Sequence, residues 1–145
     1  MRGSPLLVFL DRSVGTKKIA LALRELGLDV ETIHDRYGDE SPRIPDTRWI
    51  EDATVSGRIL IGADKRIRYR SLERIAICRH GAKCFTFPRG DLTAGEMIRR
   101  IIQHLAEIGR LAKEPGPYVV HLRAEQIVPM QLDCDDLGGE SWAPE

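Results

Sequence analysis

Leu6–Asp11 (LLVFLD) is the stretch on which the reading of the fold turns, five consecutive apolar residues closed by a carboxylate. The run is too short for a helix and apolar at alternate and intervening positions alike, which suits a strand buried on both faces inside a parallel sheet. Sheets of that kind bind ligands beyond the carboxyl ends of their strands. Asp11 therefore stands where chemistry is expected.

Working outward, Ile19, Ala20, Leu23 and Leu26 recur at helical spacing between Gly15 and Leu26, with Ser13 as the candidate N-cap and Gly27 as the stop. Leu28–His34 reads as a second strand, and the polar, proline-containing stretch Asp35–Pro45 as a loop. Pro45 and Asp46 open a helix whose buried face is Trp49, Ile50 and Ala53, and Gly57 ends it before the strand Arg58–Ile61. That third strand runs into Gly62-Ala63-Asp64. A basic helix over Ser71–His80 leads to a fourth strand at Lys83–Phe87. Thr93–Glu96 has the capping-box pattern of a helix running to Ala112, and Pro117–Arg123 is a fifth strand.

Alternation of this kind implies right-handed crossovers, hence an α/β fold: a three-layer α/β/α sandwich with a mainly parallel sheet of about five strands. The 145 residues suit one domain, read as residues 1–123. Residues 124–145 read as a flexible acidic tail, because Asp133–Glu145 carries five acids and no base.

With 42% hydrophobic and 30% charged residues the composition is that of an ordinary globular protein. No apolar run approaches the roughly 18 residues of a membrane span, and no signal-peptide pattern opens the chain, so a cytoplasmic protein without a membrane partner is expected. The cysteine count of three makes no disulfide framework and fits a reducing compartment. Cys78, beside Ile75 and Ala76, reads as a core residue. Net charge is zero but segregated: Asp29–Asp52 holds eight carboxylates against three arginines, and Lys65–Arg89 eight bases against Glu73. An acidic cation pocket with a basic rim for a polyanion produces that division.

Asp11, Asp46 and Asp64 are the candidate catalytic, metal-ligating acids, with Asp91 as a weaker fourth. Asp11 follows the first strand and Asp64 the third, which can be neighbours in a parallel sheet, and Asp46 begins the helix that leads into that third strand. Hard cations such as Mg2+ and Mn2+ take oxygen ligands. The plainer alternative is capping, which competes most directly at Asp46. Lys65, Arg66, Arg68 and Arg70, directly after the acids, are candidate contacts for substrate phosphates. Ser13 is placed beside Asp11 as a further substrate-side group. Cys78, His80 and Cys84 lack the four-ligand spacing of zinc, and no nucleophile elbow or Gly-rich phosphate loop occurs.

The landmarks LLVFLDRS, PDTRWIEDA and ILIGADKRIRYR occur in an order and spacing that resembles the PIN-like domains of VapC-type toxins, over about residues 6–123. The resemblance implies a Mg2+- or Mn2+-dependent ribonuclease acting on RNA, often the toxin of a toxin–antitoxin pair, with a small antitoxin partner and in some cases a homodimer. It also implies Asp11, Asp46 and Asp64 as metal ligands. One position departs: many such domains have Thr or Ser two residues before the third-strand aspartate, where this chain has Gly62. A non-catalytic PIN-like binding module for RNA or protein is the nearest alternative. A receiver-like signalling domain fits less well, because Leu10 and Arg12 flank Asp11 where that fold wants a second acid.

Overall fold

The computed structural model describes residues 5–14, 17–63 and 71–135. Six strands, β1 (Leu7–Leu10), β2 (Asp29–Thr32), β3 (Ile59–Gly62), β4 (Lys83–Thr86), β5 (Tyr118–Leu122) and β6 (Ile127–Met130), form one sheet in the order β2-β1-β3-β4-β5-β6. β1 to β5 are parallel, and β6 runs antiparallel to β5. The helices are α1 (Lys17–Glu25), α2 (Ile33–Tyr37), α3 (Asp46–Val55), α4 (Ser71–His80), α5 (Ala94–Gln103) and α6 (Leu105–Leu111).

Strand alternation divides the core into two layers. Val8, Leu10, Ile59, Ile61, Phe85 and Val120 turn to one face and pack with α1, α5 and α6 through Ile19, Leu23, Met97, Ile101 and Ile108. Phe9, Leu60, Cys84 and Val119 turn to the other, where α3 and α4 supply Trp49, Ile50, Ala53, Ala76 and Ile77. The expected α/β/α sandwich is therefore the fold. Gly27 and Gly57 end α1 and α3 with φ of 90° and 84°, a conformation that a side chain resists.

Four expectations need correction. The stretch Asp35–Pro45 is not loop throughout: α2 and a 3-10 turn, Gly38–Arg43, occupy most of it. Thr32 and Asp35 cap α2 reciprocally, a local signal short enough to hide within polar sequence. The helix expected over 93–112 breaks at His104, whose φ and ψ of −100° and 11° are not helical and whose Nε2 lies 2.7 Å from the Arg123 carbonyl oxygen. The supposed tail begins as structure: residues 124–135 contain β6, an edge strand, where an interior proline such as Pro129 is tolerated. Finally, Cys78 is not a free core thiol but is bonded to Cys134, with Cα atoms 5.6 Å apart. Residues 136–145 lie outside the described residues. No helix among the described residues is long and apolar enough to cross a membrane.

Candidate metal centre

Asp11 extends β1 by one step. Its amide donates to the Ile61 carbonyl at 3.1 Å, which continues the Leu10–Ile61 register and sets Asp11 opposite Gly62, on the Phe9 face of the sheet. The residue is 6% exposed. Its Oδ1 accepts from the Ser13 amide at 2.7 Å and from the Ser13 hydroxyl. That hydroxyl in turn accepts from the Ala63 amide at 2.8 Å. Ser13 thus ties the end of β1 to the end of β3 and fixes how Asp11 points. The capping role read for Ser13 gives way: α1 is described from Lys17, and the Ser13 hydroxyl oxygen that a cap would use accepts instead from the Ala63 amide. Below Asp11, burial and then the Asp11 charge push the Cys84 thiol up to about 12.

Asp46 arrives from above the sheet. Phe9 and Trp49 stack with centroids 5.5 Å apart and planes 15° from parallel. Asp46 sits one helical turn before Trp49 and lies 3.7 Å from the guanidinium of Arg12, the residue after Asp11, which sets it near the carboxyl end of β1. The Trp49 indole donates to Asp46 Oδ1 at 2.9 Å. The capping alternative does not hold: Pro45 occupies the N-cap position of α3, and no side chain caps there. The Arg12 guanidinium lies beside the same carboxylate at 3.7 Å and donates through Nη2 to the carbonyls of Ser41 and Ile44, at 2.8 and 3.0 Å. Arg12 and Trp49 both orient Asp46. Sequence reading had Trp49 as a core anchor alone and gave Arg12 no role.

Asp91 has a different setting. It follows β4 in an exposed turn and forms a two-point ion pair with Arg89, at 3.0 and 2.9 Å. Asp64, Lys65, Arg66, Arg68 and Arg70 lie outside the described residues.

The register also discloses a feature that scattered polar residues could not announce. Gly62 pairs with Thr86 and Thr86 with His121, so Asp11, Gly62, Thr86 and His121 form one row across the carboxyl end of the sheet, on one face. Thr86 and His121 are 4% and 7% exposed. Buried polar side chains are uncommon in sheet interiors. Here they share the row of the buried acid.

The donor chemistry fits a hard divalent cation: Asp11 and Asp46 offer carboxylate oxygens, and magnesium commonly takes one or two of these with water completing its shell. Among the described residues no three His, Cys, Asp or Glu side chains cluster closely enough to form a site by themselves.

A doubly covered parallel sheet with an acid at the end of its first strand and a second acid held above it by an aromatic stack defines a PIN-like class of protein. The profile of the family described as "PIN like domain" matches residues 7–89, more than half of the chain, and the chain belongs to that family. It is 33% identical over 122 residues to "Putative ribonuclease VapC45" of Mycobacterium tuberculosis, an alignment covering 83% of this chain and 88% of that protein. No solved structure matches the chain.

Proposed function

We propose that this protein is a Mg2+- or Mn2+-dependent endoribonuclease, the toxin of a type II toxin–antitoxin pair, acting in the cytoplasm. The observation that supports the reading is the contact of Asp46 with Arg12, the residue next to Asp11, in a helix seated on β1 by the Phe9–Trp49 stack. The relative named as a ribonuclease supports it.

Asp11, Asp46 and Asp64 would hold the cation, which supplies acidity to an attacking water and charge stabilisation at the phosphate. Ser13 keeps the Asp11 carboxylate aimed through its amide and hydroxyl, and Trp49 does the same for Asp46 through its indole N–H. Asp91 would join as an outer ligand, with its ion pair to Arg89 exchanged for the cation. Lys65, Arg66, Arg68 and Arg70 would neutralise flanking RNA phosphates, binding without regard to sequence. A small antitoxin would block the site by setting an arginine among the aspartates in place of the cation. Recovery of the chain without a small partner from its native host would refute that part.

The test of the nuclease is cleavage of a labelled structured RNA with Mn2+, with Mg2+ and with chelator, alongside Asp64→Asn purified identically. Metal-dependent cleavage that the variant loses is the expected result. No cleavage of several RNAs under any of these conditions would overturn the assignment in favour of a PIN-like binding module.

A further inference from the structure

Gly62 is the last residue of β3, and nothing in its backbone requires glycine. The glycines with positive φ are Gly27, Gly38, Gly57 and Gly81, and Gly62 is not among them. Glycine inside a strand ordinarily weakens it, and where it persists it commonly marks the close approach of another group. That group is Asp11. A Cβ at position 62 would fall on the Asp11 Oδ2 oxygen, with Cγ 3.0 Å and Oδ1 3.4 Å away, and no other group lies closer than these three atoms.

We propose that Gly62 is a positioning residue for Asp11: the bare strand opposite is the recess into which the carboxylate folds, and Ser13 supplies from the β1 turn the hydroxyl that position 62 lacks. Two observations join here. The recess holds Oδ2, while Ser13 holds Oδ1 and accepts from the Ala63 amide, the residue next to Gly62. Any side chain at 62, a Ser or Thr included, brings a Cβ that expels the carboxylate from this pose. The departure is therefore a rearrangement of the site, with hydroxyl and carboxylate both drawn from the β1 end. The inference rests on the nuclease reading only for what the pose is used for; the geometry stands without it.

The experiment is a double-mutant cycle in the full chain, combining Gly62→Ala with Asp11→Ala and reading the urea midpoint of each protein, together with Mn2+ titration of the parent and Gly62→Ala by calorimetry. The expected result is a lowered midpoint, or failure to fold, for Gly62→Ala with Asp11 present, and an unchanged or raised midpoint when Asp11→Ala has emptied the recess. A folded Gly62→Ala protein should bind Mn2+ about 10–100-fold more weakly, as loss of an orienting contact costs a metal ligand. Equal effects of Gly62→Ala in both backgrounds, including failure to fold in both, would overturn the proposal, because the obstruction would then not be the carboxylate. So would full retention of parental Mn2+ affinity in folded Gly62→Ala. A parent that binds no Mn2+ but shows the coupling would leave the recess in place and refute the metal reading instead.

Discussion

Reduction of the Cys78–Cys134 bond should lower stability by about 4 kcal/mol. The two residues are 56 apart in sequence. Closing a loop of that length in the unfolded chain removes about 14 cal/mol/K of entropy, which is about 4 kcal/mol at 25 °C in the chain-entropy treatment. The folded side changes less, because the segment after β6 is also held by Arg74, which donates to the Asp133 carbonyl at 2.6 Å, and by Leu132 against the Phe9–Trp49 layer. The effect should appear as a shift of the unfolding equilibrium with the native fold retained, about 8–16 °C in midpoint for a domain of this size. Urea and thermal unfolding with and without reductant, on the parent and on Cys78→Ser, would measure it. Cys78→Ser should match the reduced parent and ignore reductant. The buried Cys84 thiol, pushed up to about 12 by burial and then by Asp11, serves as an internal control that stays unreactive toward a thiol reagent in the native protein. An unchanged midpoint in both the reduced parent and Cys78→Ser would refute the reasoning. The cytoplasm proposed for this protein keeps thiols reduced, so there the strap would rest on Arg74 and Leu132.

Trp49→Phe should retain part of the stack on Phe9 but lose the indole donor to Asp46, costing about 2–4 kcal/mol from the vacated volume and a hydrogen bond to a charged acceptor. It should also weaken Mn2+ binding; a destabilised variant with parental Mn2+ affinity would show that the indole does not orient Asp46. Glu96 is held down to about 2 by hydrogen bonds from Arg99 and then Arg100, against an ordinary value of 4.5. A folded-state value below the unfolded one means that the contribution is complete above pH 4.5 and disappears as the pH falls toward 2. Glu96→Gln should therefore flatten the stability profile across that window, with a salt-sensitive effect because the pair is solvent-facing. Parallel profiles for parent and variant between pH 5 and pH 2 would contradict this.

The central strands and their covering helices were legible because their periods are strong. LLVFL and RILI read as buried strands, and β1 and β3 lie there with Arg58 left just outside; of the helical face read from Ile19, Ala20, Leu23 and Leu26, the first three are buried and Leu26 falls beyond α1, 43% exposed. The acids were legible as types at strand and helix ends. What escaped the sequence depends on pairing at a distance. Cys134 meets Cys78 only because β6 returns the chain over α4, and β6 carries a proline that argues against a strand unless its edge position is known. The polar row through Thr86 and His121 exists only once three strand registers are set. Arg12 finds Ser41 and Ile44 across a separation of about thirty residues, which no local pattern encodes.

Each described acid of the centre is aimed by a residue with a plainer local explanation. Ser13 looks like a helix cap and instead holds a carboxylate; Trp49 looks like a core anchor and is one, but its indole nitrogen also fixes Asp46; Gly62 looks like a missing hydroxyl and is the space Asp11 occupies. The common cause is the placement of the centre at the rim of the core, where one atom of a side chain is buried and the next faces the site. At such a rim, packing and positioning are the same contact. Substitutions at these three positions should therefore alter stability and metal affinity together, whereas removal of one of the bases proposed to meet RNA phosphates, such as Arg66, should alter RNA affinity alone.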